Sequence, residues 1–186
     1  MAEAEIVEEE RDPEQEARRR LALAQIRQYP DPALRLRAHE VEEFDDNLRR
    51  LADRMINLMQ EANGVGLAGT QAGTLQRLFV FRPRDEDKAR TVVNPEIVER
   101  SDETVADVEG CLSLQGVLVP VDRSVSVTLV GQDESGKPLR LELEDHAARI
   151  VQHELDHLDG VLILDRTDRE HRKEALAILR PRVALA

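Results

Sequence analysis

The chain has 186 residues, a length suited to one domain that buries its own core without help from disulfides or metals. Hydrophobic residues make up 41% of it and charged residues 34%, and no apolar run approaches the ~20 residues needed to cross a bilayer. A membrane-spanning helix is therefore not expected. With 38 acidic against 26 basic side chains, a formal net charge of -12 and aromatics at 2%, the chain repels a phosphate backbone and lacks stacking platforms for single strands, so direct nucleic-acid binding is not expected. The lone cysteine, Cys111, forms no internal disulfide, and the first residues lack the basic and apolar stretches of a secretion signal; a cytoplasmic protein is the expectation.

The first sixteen residues carry eight acidic side chains and one basic, Arg11. Such a segment has too little apolar surface to offset its ordering entropy, so residues 1–20 read as a solvated acidic tail and residues 21–186 as one domain. A turn signal stands at Tyr29-Pro30-Asp31-Pro32. Phe44, Leu48, Leu51, Met55, Leu58 and Ala62 recur at spacings of four and three, the single apolar face of an amphipathic helix, with Asp45 or Asp46 as its cap and Asn63-Gly64 as its stop.

Short β-prone runs follow at residues 78–81, 91–98, 117–121, 125–130 and 139–143, and Gly136-Lys137-Pro138 marks a hairpin between the last two. A second helix is predicted from Asp145 to Leu158, stopped by Gly160, and a third from the capping-box pattern Thr167-Asp168-Arg169-Glu170, limited by Pro181. Helix, strands, then helices describe an α+β domain. Its antiparallel or mixed sheets should pack around the second helix, with another helix at the C-terminus.

That second helix contains Gln152-His153-Glu154-Leu155-Asp156-His157. Residues four apart on a helix lie one above the other, so His153 and His157 can converge on one cation, while Glu154, about 100° round, can lean toward water there without ligating. Two solvated histidines are the plain alternative, but only five histidines exist in the chain and two fall at this spacing around a glutamate. The third ligand is left open by the pattern. The longer zinc signature HExxHxxGxxH would need a histidine where Ile163 stands, and a downstream carboxylate could only be Glu170 or Glu174. Upstream, Cys111 in Glu109-Gly110-Cys111-Leu112-Ser113 offers a soft sulfur. A buried structural thiol or a nucleophile with a histidine base are its other readings.

Three motifs in this order make the chain resemble the peptide deformylases: Gly64-Val65-Gly66-Leu67-Ala68-Gly69-Thr70-Gln71, then Glu109 to Ser113, then Gln152 to His157. The resemblance runs from about Ile26 to Arg180. It implies that Cys111, His153 and His157 hold a metal, Fe2+ with Zn2+ or other divalent ions as substitutes. It also implies that Glu154 is the general acid and base, that Gln71 and the Leu112 N–H stabilise an oxyanion, and that Val65 and Gly66 pair with the substrate backbone. The implied reaction removes the N-formyl group from the initiator methionine of nascent polypeptides, releasing formate, with ribosome association as a further expectation. Gly69, Gln115 and Leu118 depart from the family's usual Ala, Pro and Arg; Leu118 is expected beside the substrate. Arg123 matches the family's arginine and can pair with Glu109. A general metallopeptidase, told apart by its third ligand, and a ribosome-bound module without catalysis are the competing readings.

Overall fold

The computed structural model describes residues 12–180. Five α-helices and seven strands follow in chain order: α1 (Pro13–Gln25), α2 (Asp46–Glu61), β1 (Gly66–Ala68), β2 (Leu78–Phe81), β3 (Arg90–Arg100), β4 (Thr104–Gly110), β5 (Leu118–Ser124), β6 (Ser126–Gln132), β7 (Pro138–Glu144), α3 (Asp145–Leu158), α4 (Ile163–Arg166) and α5 (Arg169–Leu179). The strands form a five-stranded sheet of order β1-β2-β3-β6-β7 and a separate β4–β5 ribbon, every pair antiparallel. The expected α+β class holds. Among the described residues no helix is long and apolar enough to cross a membrane.

Helix α2 forms where the period of 3.6 predicts it. Asp45 caps it by accepting from the Leu48 N–H at 3.0 Å, and Leu48, Ala52, Met55, Leu58 and Met59 form its buried face. Asn63, at φ 57°, takes the left-handed turn at its end rather than Gly64. The β6–β7 hairpin turns where expected, with Gly136 at φ 83° and the Asp133 carboxylate accepting from the Ser135 and Lys137 N–H groups. One boundary shifts: α5 is capped by Asp168, whose carboxylate accepts from the N–H groups of Glu170 and His171, while Thr167 closes α4. Pro181 lies outside the described residues.

Four elements escape the sequence reading, the single-turn α4 among them, too short to show a period. The segment 13–20, expected as solvated tail, is helical as the front of α1: Asp12 caps it, Pro13 opens it, and Ala22 and Leu23 bury against α2. Residues 1–11 of that segment lie outside the described residues. Strand β1 has only three residues, too few to show a period. Strand β4 is exposed along nearly its whole length.

Helix α3 is central. One apolar cluster joins it to the five-stranded sheet, a second fills the space between that sheet and α1–α2, and a third gathers β5, α4 and α5 around Leu34. Nine of its residues are buried, among them Gln152, Glu154, Asp156 and His157. Polar groups at such depth need partners or a task, because an unpaired buried polar atom costs about 1–3 kcal/mol. Gln152 is partnered by Arg100 and the Ser124 backbone, and Asp156 by Arg123 and Arg166.

Candidate active site

One turn of α3 sets His153 and His157 on the same face, with their Nε2 atoms 3.2 Å apart. Cys111, just past the end of β4, brings Sγ to 3.2 Å from His157 Nε2. All three donor atoms lie within 4.8 Å of one another. Donors bound ~2.0–2.3 Å from a tetrahedral ion stand roughly 3.3–3.7 Å apart, so the cluster needs little adjustment to close on one. Of the earlier candidates for the third ligand, Cys111 is the one brought to the histidines; Glu170 and Glu174 lie exposed on α5 and Ile163 is buried among apolar residues.

The electrostatics suit a cation. Burial holds His157 well below its ordinary value, as a neutral imidazole with a lone pair to offer. Burial pulls His153 down too, but hydrogen bonds to the Cys111 sulfur and to Glu109 outweigh it and raise the group well above normal. The cluster thus favours positive charge, of the kind a divalent ion would supply. The donor set of one sulfur and two imidazoles fits Zn(II) or Fe(II) better than the hard ions that favour oxygen.

Behind the donors stands a buried ion-pair network. Glu109 Oε2 lies 3.0 Å from His153 Nδ1, which fixes the ring with Nε2 toward the site. Arg123 grips the same carboxylate with two bonds of 2.9 and 3.0 Å, and both side chains are only 5% exposed. A surface pair of that kind adds little; here the pair is a buried device. Burial pushes the Glu109 carboxyl up, but the hydrogen bonds from His153 and Arg123 outweigh it and leave the group far below the usual carboxylate range. Arg149 adds a bond to Glu109, and Arg123 reaches on to Asp156, itself held by Arg166. Breaking one side of a buried pair leaves an uncompensated charge. Arg123→Met is therefore expected to cost about 3–5 kcal/mol in urea unfolding of the metal-loaded protein; a loss under about 1 kcal/mol would show the network to be as weak as a surface pair.

Glu154 is 4% exposed, and among the described residues its Oε2 has no hydrogen-bond partner. Burial pushes its carboxyl up to about 7, the Glu109 charge adding to the shift and His153 and Arg123 opposing it. A group poised there takes up or gives up a proton at little cost near neutral pH. Gly66 makes room for it: a Cβ at that position would stand 2.2 Å from Glu154 Oε1. Gly69, the departure from alanine, is likewise dictated by space, since a Cβ there would meet the Gln76 carbonyl oxygen at 2.6 Å.

Gln71 is buried with its orientation fixed. Its Oε1 accepts from the Ala68 N–H at 2.9 Å, which turns Nε2 toward Ser113 Oγ at 3.0 Å and Cys111 Sγ at 3.6 Å. Among the described residues the Leu112 N–H donates to no protein acceptor. Strand β1 is the edge of its sheet. Arg82 N–H donates to the Val65 carbonyl at 2.8 Å, and Gly69 N–H to that of Leu78 at 2.9 Å, so residues 65, 67 and 69 face β2. By alternation Gly66 turns its N–H and C=O to the open side. Of the two residues expected to pair with substrate, Gly66 carries the free edge, while the Val65 carbonyl is already taken. Leu118 is 71% exposed, opposite Gly110 in the β4–β5 ladder and leaning over it.

Sequence reading missed Asp156, Arg149 and Ser113 as supports of the site. Spacing does not reveal these roles, because each side chain acts through a partner at least ten residues away.

Comparison with known proteins accords with this geometry. The sequence profile of the polypeptide deformylases matches residues 23–173. The peptide deformylase of Thermotoga sp. (strain RQ2) is 46% identical over 144 residues, 77% of this chain and 87% of that protein. Peptide deformylase 1 of Corynebacterium glutamicum is 41% identical over 162 residues, 86% of this chain and 96% of its relative. Among solved structures, the peptide deformylase of Thermotoga maritima superposes with a TM-score of 0.74 at 45% identity, covering 77% of this chain and 96% of that one. The Legionella pneumophila enzyme gives a TM-score of 0.79 at 38% identity, covering 83% and 91%. The chain belongs to the polypeptide deformylase family of metal-dependent hydrolases, which remove the N-formyl group from nascent polypeptides.

Proposed function

We propose that Cys111, His153 and His157 hold one Fe2+ ion, replaceable by Zn2+ or another divalent ion, and that Glu154, Gln71 and the Leu112 N–H carry the hydrolysis around it. The convergence of the three donor atoms beside an unpartnered buried glutamate oxygen supports this reading most strongly. When bound, the ion supplies Lewis acidity and an acidified water.

The chain's own groups do the rest. Glu154 Oε2 takes a proton from the attacking water and passes it to the amide nitrogen; water oxygen bonds to the formyl carbon, the C–N bond breaks, and formate and a free amine leave. Gln71 Nε2 and the Leu112 N–H donate to the carbonyl oxygen as negative charge builds on it. Gln71 is neutral at every working pH, so its role does not titrate away. Gly66, on the open edge of β1, adds the substrate backbone as a further strand, which aligns the formyl group with Glu154 across the Cβ-free gap. The substrate is the N-formylmethionyl end of a nascent chain, met in the cytoplasm as it leaves the ribosome.

Formate release from a formyl-Met peptide tests the activity. Anaerobically purified, Fe(II)-loaded protein is expected to release formate and free amine in equal amounts. Fully loaded, folded protein that releases neither would overturn the proposal.

Leu118 tests specificity. Arginine there would offer charge-assisted hydrogen bonds to substrate carbonyls or carboxylates, worth about 1.5–3 kcal/mol when sheltered and less when exposed; Leu118 offers apolar contact. Leu118→Arg is expected to shift the kcat/KM preference for a second residue of Asp over Leu by several-fold, about 1 kcal/mol at so open a position. An unchanged ratio would place Leu118 outside the substrate groove.

A further inference from the structure

The loop that carries Cys111 is braced from outside the metal centre by the segment that follows α1. Gln28 donates from Nε2 to the Leu112 carbonyl at 2.9 Å and to the Ile26 carbonyl at 3.2 Å. Both partners only accept, so the amide has one orientation, with Oε1 outward. That oxygen accepts from Gln115 Nε2 at 3.0 Å. One residue on, the Tyr29 N–H donates to the Ser113 carbonyl at 2.9 Å. The same short segment thus grips two consecutive carbonyls of the Cys111 loop.

The first grip bears on the sulfur. The Leu112–Ser113 peptide is planar, so holding its oxygen fixes the N–H on its opposite side. That N–H, of Ser113, donates to Cys111 Sγ at 3.4 Å. A hydrogen bond to a ligating sulfur draws charge from it, which weakens the sulfur as a donor and strengthens the ion as a Lewis acid. The neighbouring peptide carries the Leu112 N–H, so its aim depends on the same brace.

We infer that Gln28, steadied by Gln115, is a positioning residue of the metal centre: through the Leu112–Ser113 peptide it sets the hydrogen bond that tunes the Cys111 sulfur. This rests on Cys111 being a metal ligand. Three features of the amide matter together, namely reach, a donor toward Leu112 and an acceptor toward Gln115. Leucine keeps the bulk and loses both functions; glutamate keeps the acceptor and loses the donor.

The test uses Co(II)-substituted full-length protein, read by the sulfur-to-cobalt charge-transfer band, beside kcat and KM on a formyl-Met peptide. The wild type is expected to show the band. Gln28→Leu should move it to longer wavelength, because a sulfur that has lost a hydrogen bond gives up charge more easily, and should lower kcat about tenfold with full metal content. KM should stay within about twofold, the pattern of an interaction felt in the transition state. Gln115→Ala, at an exposed position, should shift band and rate in the same direction by less, and remains readable if Gln28→Leu does not fold. A band and kcat unchanged in the folded variants, with only the melting temperature lowered, would make Gln28 a structural tie and overturn the inference. A wild type without the band would remove Cys111 as ligand, and the inference with it.

Discussion

Glu154→Gln is expected to keep one metal ion per chain and lose about 10²–10⁴-fold in kcat, the range for removing a general acid–base group. The amide fits the same gap beside Gly66, so packing is preserved and the loss reads on proton transfer. The proposed role rests on the surroundings of Glu154. It is buried on the central helix, its Oε2 lacks a hydrogen-bond partner among the described residues, and its carboxyl is pushed up to about 7 by that burial. A buried structural glutamate would instead be paired, as Glu109 is with Arg123. Elemental analysis beside steady-state rates separates the outcomes. Wild-type turnover would remove Glu154 from the proton path, and loss of metal in proportion to activity would make it a ligand.

Cys111→Ala has the second large effect. Removing one of three donors is expected to drop bound metal well below one per chain after dialysis against a chelator and to abolish formate release, while the fold survives. The fold does not depend on the sulfur: the loop is held by bonds from Gln28, Tyr29 and Gln71 and by Leu114 in the third apolar cluster. Full metal content in this variant would send the search for the third ligand to another group. Cys111→Asp offers a harder donor at the same place, and should restore some metal with a preference shifted toward ions that favour oxygen.

Periodic elements were legible in the sequence and solitary ones were not. Helices α2 and α3 declare themselves because each buries a face whose apolar residues recur every turn. The Gly136 turn announces the β6–β7 hairpin through one residue's backbone freedom. Helix α1 hides behind its charge: only Ala22 and Leu23 of its thirteen residues are buried, so composition reads it as tail. Strand β4 hides for the opposite reason, since both of its faces are largely exposed and no alternation is imposed on it.

The site divides in the same way. His153 and His157 share one helix face, with Glu154 about 100° round, and all three could be read from spacing alone. Cys111 joins them only through the closure of the β4–β5 ribbon on α3, which no local pattern encodes. Arg123 and Glu109 could be paired on paper, but their depth could not. Burial turns a marginal contact into the support on which His153 depends. Leu118 shows the limit most plainly, for the ladder that sets it across from Gly110 also turns it to solvent, and neither fact is written in its neighbours.

X-ray absorption at the iron edge of anaerobically loaded protein reads the donor atoms of the proposed metal centre themselves. Ligation by Cys111, His153 and His157 requires one sulfur at about 2.3 Å and two imidazole nitrogens at about 2.0–2.1 Å, by analogy with zinc bound to the same donors, and no sulfur shell around whatever iron Cys111→Ala retains. A wild-type spectrum with light scatterers only, at full iron occupancy, would contradict it.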